Sequence, residues 1–233
     1  DGSLLSLVPS QELAKALVYN LYLNMQFPER KKVEEFSNKE LNVDPSEFVE
    51  LQHIMSLTQF KETKKNGFRN YFQLHPEIDP FGSNSSASYA GKRNLVEQRI
   101  IGTKFSEKKS DQDLLNKLRP TYAYVASPNL KSQWQVIRAV PNNQIVVIFN
   151  DNLQVRTTAV MGDSYDRFPN LGSGRPIYLG VPIGKRASMT EAQIWGEVSF
   201  HDIKELLVFP NISGEELLFV KSLGLPIYEG VSV

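Results

Sequence analysis

The pattern of apolar positions divides the chain into a first part with helical spacing and a second part with short strands. In the first part, the clearest apolar stripe follows a possible Ser10 cap and consists of Leu13, Leu17, Leu21 and Met25. A repeat of four residues keeps these side chains on one face of a helix. We therefore predict a helix over this segment.

A second helix start is indicated at 44–47, where Asp, Pro, Ser and Glu supply an N-cap acid, a first-turn proline and an acid at N3. The apolar stripe after it predicts a helix that continues to Gly67. Two prolines and a Ser/Asn cluster predict a long loop at 75–86. Helical patterning resumes at 92–101 and again at 110–118.

Beyond residue 119, short runs of β-branched and aromatic residues alternate with turn signals. A capped helix is predicted at 213–224. The strand predictions are 122–126, 133–140, 144–149, 154–161, 177–183, 192–200 and 225–228. The sequence thus predicts an α+β fold, with a helical N-terminal lobe at 1–118 and a mostly antiparallel, β-rich part at 119–233.

Composition then narrows the possible chemistry. The chain has 233 residues, 26 Lys and Arg against 26 Asp and Glu, and no cysteine. Without cysteine there is no disulfide scaffold, thiolate zinc site, iron–sulfur cluster or cysteine nucleophile. Balanced charge argues against nucleic acid as a partner, because phosphate binding draws on excess positive charge. The longest dense apolar run, 145–149, is too short to cross a bilayer, which needs about 20 residues. We therefore expect neither nucleic acid nor a membrane as a partner.

Several common site motifs fail on inspection. The three histidines are far apart and in no ligand spacing, so no metal site is predicted, and His53 is expected to be a packed or surface residue. The segment 91–93 resembles the end of a phosphate loop, but Ser86 stands where the first glycine is required. Arg93 replaces the Ser or Thr that would hold magnesium. The phosphate-loop interpretation is therefore rejected.

Three polar signatures remain in the β-rich part. Arg119-Pro120-Thr121-Tyr122 places an arginine before a strand, and the proline favours an extended backbone at Arg119. The segment 156–164 contains Arg-Thr-Thr and ends in Gly-Asp-Ser, which predicts a strand that enters a tight turn. The third signature, Glu191-Ala192-Gln193, opens a strand after a loop at 184–190. Each signature alone is typical of a surface charge or a turn.

Taken in order, the signatures resemble the Arg–Ser–Glu set of ADP-ribosyltransferases. Arg-Pro-x-Tyr, Arg-x-Thr with Gly-Asp-Ser, and Glu-Ala-Gln-x-x-Gly are similar to blocks of the CteC-like bacterial effectors, which attach ADP-ribose to a threonine of host ubiquitin. The resemblance covers 119–209. It implies an ADP-ribosyltransferase-like catalytic core at 119–233 that uses NAD as co-substrate. It also implies a toxin secreted by a bacterium and active in the host cytosol.

The resemblance also implies a role for each residue. Glu191 is the expected catalytic residue, which stabilises an oxocarbenium-like transition state through the ribose 2′-hydroxyl. Arg119 is expected to bind NAD, because its fork suits a pyrophosphate. Further cofactor-binding candidates are Thr158, Asp163, Ser164 and Gln193. Either Thr158 or Ser164 takes the part of the family's serine, and the sequence leaves this choice open.

The acceptor is predicted from a departure from the family pattern. Arginine-modifying relatives carry Gln or Glu two residues before the catalytic glutamate, whereas this chain has Met189. A protein hydroxyl is therefore the expected acceptor, with ubiquitin threonine as the implied target and with Met189 and Thr190 in contact with it. The alternatives are an NAD glycohydrolase and a non-catalytic protein-binding module. Whether Glu197 shares the site also stays open.

Overall fold

The structure is a computed structural model that describes residues 11–16, 50–79, 81, 88–101, 105–126, 139–140, 144–161, 177–178 and 190–232. Three of the predicted site residues, Asp163, Ser164 and Met189, lie outside these ranges. Within the described ranges, none of the helices combines the length and the apolar character needed to span a membrane.

The strands in these ranges are β1 Glu50–Ser56, β2 Thr121–Ala126, β3 Ala139–Val140, β4 Gln144–Phe149, β5 Thr157–Met161, β6 Ile177–Tyr178, β7 Thr190–Ile194, β8 Ile203–Val208, β9 Ile227–Glu229 and β10 Val231–Ser232. Eight of these described strands form the main sheet, in the order β6-β5-β7-β2-β1-β4-β8-β9. All neighbouring pairs are antiparallel except β8 and β9. A second, parallel pair joins β10 to β3.

Helices connect and cover these strands. The helix α2, Leu57–Asn66, begins with a capping box at Ser56. The Ser56 hydroxyl accepts a hydrogen bond from the Gln59 backbone N–H, and the Gln59 side chain accepts one from the Ser56 backbone N–H. Short 3₁₀ helices lie directly before three of these elements: Lys109–Asp111 before the helix at Gln112–Leu118, Asp151–Arg156 before β5, and Phe200–Asp202 before β8. The helices are α1 at 11–16, α2 Leu57–Asn66, α3 Tyr71–Leu74, α4 Tyr89–Ile101, α5 Gln112–Leu118 and α6 Gly214–Lys221.

The helix predicted between 44 and Gly67 is wrong over its first half. Residues 50–56 form β1, which lies between β2 and β4 in the middle of the sheet. Apolar side chains at Leu51, Ile54 and Met55 imitate a helical stripe because a central strand buries both of its faces. The helix begins only at Leu57 and ends at Gly67, where φ is +73°. The predicted helical lobe therefore contributes a central strand, while the domain division at residue 118 stays a prediction.

The other predictions agree with the structure more closely. The helix at 92–101, the capped helix after Ser213 and the strands at 122–126 and 144–149 are confirmed with small changes in their ends. The strand predicted at 154–161 begins only at Thr157, after a 3₁₀ turn. The strand predicted at 192–200 ends at Ile194. The mixed helical and mostly antiparallel architecture confirms the predicted α+β class.

The two faces of the sheet differ in chemistry. One face packs into the hydrophobic core of the protein, which α2 and α6 help to close, and it includes Leu51, Ala123, Ile145, Ala192 and Ile194. The opposite face is apolar over β4 and β8, where Val146, Ile148 and Leu207 cluster. Over β1, β2, β7 and β5 it is polar instead. This change in chemistry along one face locates the candidate site.

Candidate functional site

Polar side chains converge on one face of β1, β2, β7 and β5. The registers place Tyr124 between Gln52 and Glu191, and they place Gln193 between Tyr122 and Thr158. Side chains directly opposite each other on neighbouring strands share a face, and so do residues two positions apart. We call this surface the polar face. Its members are Glu50, Gln52, Tyr122, Tyr124, Thr158, Glu191 and Gln193.

A chain of hydrogen bonds fixes the Glu191 carboxylate on this face. Gln193 Nε2 donates to Glu191 Oε1 over 2.8 Å. Thr158 Oγ1 donates to Gln193 Oε1 over 3.0 Å, and Trp195 Nε1 donates to Thr158 Oγ1 over 2.9 Å. Thr158 and Gln193 therefore each accept on one side and donate on the other, Trp195 donates at the start of the series, and every bond points toward the carboxylate. Donors aimed at a charge and polarised in series stabilise that charge.

The members of this chain are almost inaccessible to water. Thr158 and Gln193 have 0% exposed surface, Trp195 has 1%, and Glu191 has 8%. Buried polar groups of this kind are costly unless they are satisfied. Because every bond in the series is made, the orientation of Glu191 is set by the fold rather than by solvent.

Arg156 anchors the far end of the chain. Its guanidinium donates to the Trp195 and Glu197 carbonyls and lies near the Asp202 carboxylate. Burial lowers the pKa of Arg156, while the charge of Asp202 works against that shift. Gly196, with φ +80°, ends the extended run after β7. The side chain of Glu197, which follows this break in the strand, is exposed.

Helix α4 covers the polar face with charged side chains. The Arg93 guanidinium lies 4.2 Å from the centroid of the Tyr122 ring, and it donates to the Tyr89 hydroxyl over 3.1 Å. Burial opposes its charge, but Tyr122, Tyr89 and Glu191 outweigh burial and raise the pKa of Arg93. Arg93 is thus a fixed cation in the electrostatic field of Glu191.

Arg119 occupies a buried position next to this cluster. Its guanidinium donates to Glu97 Oε2 and, over 2.6 Å, to Asn94 Oδ1, and both partners belong to α4. The Phe72 and Phe105 rings lie 3.8 Å and 4.8 Å from it. The side chain has 1% exposed surface. As the sequence predicts, the backbone before Pro120 is extended, with φ −58° and ψ 150°.

Glu97 links the Arg119 pocket to the polar face. Its other oxygen, Oε1, accepts from the Tyr122 hydroxyl over 3.1 Å. Burial raises the pKa of Glu97, and the positive charges of Arg119 and Arg93 work against that shift. Burial also raises the pKa of Tyr122, and the carboxylates of Glu97 and Glu191 raise it further. Tyr122 therefore stays a neutral hydrogen-bond donor.

The structure brings together part of the predicted set. Glu191, Gln193 and Thr158 are joined directly, and Thr190 lies one position before Glu191 in β7, opposite Met161. Arg119 reaches the same face only through Glu97 and Tyr122. Its assignment to NAD stays a prediction, as do the roles of the residues outside the described ranges.

Sequence reasoning missed the contribution of α4. Tyr89, Arg93 and Glu97 are spaced four residues apart, which places them on one side of a helix. The sequence contains this four-residue spacing, but at Arg93 it resembles only the end of a phosphate loop. The position of the Arg93 guanidinium depends on its contact with Tyr122, which is distant in sequence and adjacent only in the fold.

A separate groove lies along α2. It has a volume of about 690 Å³, and its walls include His53, Glu62, Phe68 and Thr121. His53 Nδ1 lies 2.6 Å from the Tyr122 carbonyl, and its ring makes an edge contact with Phe68. Burial lowers the pKa of His53, and the hydrogen bond to the Tyr122 carbonyl works against that shift. The expectation of a packed histidine is confirmed, although it lies on a strand.

Comparison with known proteins gives similarity in fold only. No protein-family model matches the sequence, and no curated protein matches it. Among solved structures, DarTG of Thermosipho africanus in complex with ADP-ribose has 12% sequence identity and a TM-score of 0.39. The alignment covers 78% of this chain and 50% of that one. This chain thus spans about half the length of the DarTG chain.

Two structures of DarT from Thermus sp. 2.9 are also similar. The complex with carba-NAD⁺ has 7% identity and a TM-score of 0.39, and the alignment covers 79% of this chain and 94% of that one. The complex with ADP-ribosylated single-stranded DNA has 10% identity and a TM-score of 0.37, with 77% and 93% covered. ADP-ribose and carba-NAD⁺ are the ligands of two of these proteins, and NAD as the co-substrate of this chain stays a prediction. None of the three is a CteC-like effector, so that resemblance stays a prediction.

One sequence-based expectation is corrected by these structures. The exclusion of nucleic acid is contradicted by the DarT complex that holds ADP-ribosylated single-stranded DNA. The expectation relied on the balance of 26 basic and 26 acidic residues. Net charge is a sum over the whole chain, whereas binding depends on the potential of one surface. Aromatic rings that stack on the bases also contribute to the binding of single strands, together with a positively charged groove. The exclusion is therefore withdrawn.

Proposed function

We propose that this protein is an NAD-dependent ADP-ribosyltransferase whose catalytic residue is Glu191. The observation that carries the proposal is the directed series from Trp195 through Thr158 and Gln193 to the Glu191 carboxylate. A surface glutamate needs no such support. Three aligned, buried groups that fix one carboxylate are the kind of preorganisation that catalysis by charge stabilisation requires.

The chemistry of NAD cleavage matches this arrangement. When the bond between nicotinamide and ribose breaks, positive charge develops on the ribose ring, as it does in glycoside hydrolysis. Glu191 accepts a hydrogen bond from the ribose 2′-hydroxyl and stabilises that charge. Gln193 prevents the carboxylate from rotating away, because its amide holds one of the two oxygens. The other oxygen is then directed at the sugar.

Cationic side chains beside the carboxylate suit the pyrophosphate of NAD. Arg93 lies over Tyr122 in the field of Glu191, and Arg119 is held behind it by Glu97. The planar fork of an arginine binds phosphate oxygens in pairs. We assign the pyrophosphate contact to Arg93, because its neighbours already lie on the polar face. Arg119 then acts through Glu97 and Tyr122.

The proposal also concerns the molecule that accepts the ADP-ribose group. The sequence resemblance implies a threonine hydroxyl of host ubiquitin, reached in the host cytosol after secretion by a bacterium. Withdrawal of the nucleic-acid exclusion makes single-stranded DNA a second acceptor to be tested. Both acceptors offer a nucleophile that displaces nicotinamide from the same ribose carbon. The reaction at Glu191 is therefore the same in either case.

The proposal is tested by incubating the protein with NAD and measuring released nicotinamide by chromatography. Parallel samples contain ubiquitin, a mixed-sequence single-stranded oligonucleotide, or no acceptor, and the mass of each acceptor is determined. An added ADP-ribose mass on either acceptor identifies the target. Release that is equally fast without an acceptor indicates a glycohydrolase instead.

Glu191→Gln is the central variant, because it keeps the shape of the side chain and removes its charge. We expect nicotinamide release to fall by at least a hundredfold, or about 2.7 kcal/mol of transition-state stabilisation. Glu197→Gln is the matched control on the same segment and should keep wild-type activity. Full activity in Glu191→Gln would overturn the site assignment. Failure of the wild-type protein to bind or cleave NAD would leave the binding-module alternative.

A further inference from the structure

The polar face contains the Glu-x-Gln arrangement twice. In β7, Gln193 Nε2 donates to Glu191 Oε1 over 2.8 Å. In β1, Gln52 Nε2 donates to Glu50 Oε2 over 2.9 Å. In both strands the glutamine lies two residues after the glutamate and therefore on the same face. A second carboxylate is thus fixed in the same way as the first.

The two carboxylates belong to strands that flank β2. Both β1 and β7 are antiparallel to β2 and hence parallel to each other. Tyr124 is paired with Gln52 on one side and with Glu191 on the other, and Glu50 is paired with Ala126. Two strand spacings and an offset of two residues place the Cα atoms of Glu50 and Glu191 about 12 Å apart. The two glutamates therefore stand on the same face of the sheet, on the two strands that flank Tyr124.

Glu50 is as enclosed as the proposed catalytic residue. Its exposed surface is 6%, against 8% for Glu191. Within the described part of the chain, the hydrogen bond that the structure gives Glu50 comes from the neutral amide of Gln52. A carboxylate whose orientation is fixed by a neutral amide is positioned to accept a proton from an incoming group, which is the geometric requirement for a general base.

We propose that Glu50 is the general base that takes the proton from the nucleophile in the transfer reaction, an inference that rests on the proposed function. The nucleophile, water or an acceptor with an O–H or N–H group, bonds to the anomeric carbon of the nicotinamide ribose. The C–N bond to nicotinamide breaks, and its electron pair stays on the ring nitrogen. The proton of the nucleophile passes to the Glu50 carboxylate and then to solvent.

The two proposed carboxylate roles are similar to those in inverting glycosidases. There, one carboxylate acts on each side of the sugar, and the carboxyl groups lie about 6.5–9.5 Å apart so that the nucleophile fits between them. Here each carboxylate leans toward the glutamine two positions later on its own strand, and the two strands are parallel. The carboxyl groups therefore stay about 12 Å apart, a wider gap than in those enzymes. Glu191 then stabilises the ribose, while Glu50 acts on the incoming group.

Azide separates the two roles, because it attacks as an anion and has no proton to lose. Nicotinamide release is measured for Glu50→Gln with water alone and with added sodium azide. We expect release into water to fall by at least tenfold, with the KM for NAD within twofold of the wild-type value. Azide should restore release and yield 1-azido-ADP-ribose, which is detected by its mass. Glu191→Gln should not be restored by azide.

Glu205→Gln is the matched control. Glu205 is paired with Ile148, and Ile148 is paired with Gln52, so Glu205 shares the polar face's side of the sheet but lies two strands farther from Glu191. It should behave as wild type. If Glu50→Gln cleaves NAD at the wild-type rate, or if only its KM rises, Glu50 is not the base. A slow variant that azide does not restore also contradicts the proposal.

A measurement on the wild-type protein keeps the inference testable if Glu50→Gln does not fold. A rate-limiting proton transfer to a base predicts slower release in D₂O with water as nucleophile and equal rates in the two solvents with azide. If release is equally fast in H₂O and D₂O for each of the two nucleophiles, Glu50 is not the general base. Failure of the proposed function itself looks different, because the wild-type protein would then release no nicotinamide with any nucleophile.

Discussion

Thr158 Oγ1 donates a 3.0 Å hydrogen bond to Gln193 Oε1, across the register that pairs β5 with β7. This bond decides which atom of the Gln193 amide faces Glu191. With the oxygen engaged by Thr158, the NH₂ group is left to donate to the carboxylate. A threonine on one strand thus orients a carboxylate on the next through a single amide.

Thr158→Val removes the hydroxyl and keeps the volume of the side chain. The Trp195 N–H then lacks its acceptor and Gln193 lacks its donor, and we expect a loss of about 1–3 kcal/mol in the free energy of unfolding. Release of nicotinamide should fall about tenfold, which corresponds to about 1.4 kcal/mol in the barrier. Urea unfolding and steady-state kinetics measure the two effects.

Thr157→Val is the control for that variant. Thr157 is equally buried, and its hydroxyl donates to the Leu153 carbonyl over 2.8 Å, but it lies one position away and so on the other face. It should lose stability and keep the rate constant of the wild-type protein. Equal losses of activity in both variants would show that Thr158 acts only through stability.

A second prediction concerns the charge at position 193. Gln193→Glu places two carboxyl groups within hydrogen-bond distance, and one of them then holds a proton to higher pH than an isolated glutamate does. With that proton shared, the pair carries one negative charge, as the wild-type site does. We expect near wild-type activity in acid and a progressive loss as the pH rises.

Gln193→Leu tests the same idea without a titrating group. It removes both the donor and the acceptor of the amide, so activity should be low at every pH. Rate profiles of the two variants between about pH 5 and 8 give the comparison. If Gln193→Glu were equally active at all pH values, the single negative charge on Glu191 would not matter for catalysis.

Sequence reasoning located the site residues that lie close together along the chain. Glu191 and Gln193 are two positions apart on a strand, so the alternation of side chains predicts their common face. The role of Thr158 followed from a resemblance, and its partner Trp195 did not follow at all. A hydrogen bond between β5 and β7 depends on register, which one sequence does not specify in the absence of a short hairpin.

The strand β1 shows a different reason for failure. Leu51, Ile54 and Met55 are spaced as in a helix, and the acid and proline at 44–45 resemble a helix start. Only the position of β1 between two other strands explains why both of its faces are apolar or enclosed. The pair of Glu50 and Gln52 was missed for the same reason, because on a helix these residues would point in different directions.

A third prediction distinguishes the role of Arg93 from that of Arg119. Arg93→Met should raise the KM for NAD about tenfold, because a cation on the polar face is lost. Lys92→Met is the control, since the same helix loses a charge one position away. Binding of NAD measured by calorimetry provides the check. An unchanged affinity in Arg93→Met would remove Arg93 from the binding site.

Arg119 should respond in another way. Arg119→Met leaves Glu97 buried without its cation and should cost about 3–5 kcal/mol of unfolding free energy. The double variant Arg119→Met with Glu97→Leu should recover much of that loss, because an apolar pair replaces the ion pair. If the double variant is stable and binds NAD, Arg119 is structural. If it is stable and has lost NAD affinity, the sequence-based assignment of Arg119 is correct.

The last prediction concerns stability in acid, and it follows from His53. Burial lowers the pKa of His53 from 6.5, because the enclosed ring next to Phe68 and Phe149 disfavours a charge. The folded state then binds a proton less readily than the unfolded state does. The contribution of His53 is fully present above about pH 6.5 and is lost as the pH falls through the lower pKa of the folded state. His53→Asn supplies an amide N–H for the Tyr122 carbonyl and cannot be protonated in this range.

Urea unfolding at a series of pH values measures this effect as a difference between two proteins. The free energy of unfolding of the wild-type protein, minus that of His53→Asn, should be constant above pH 7 and should decrease as the pH is lowered below about 6.5. His201→Asn, at an exposed histidine, should leave the acid destabilisation of the wild-type protein in place. A difference that stays constant down to pH 5 would mean that His53 accepts a proton in the fold as easily as in the unfolded chain. Burial of the His53 ring would then not control its charge.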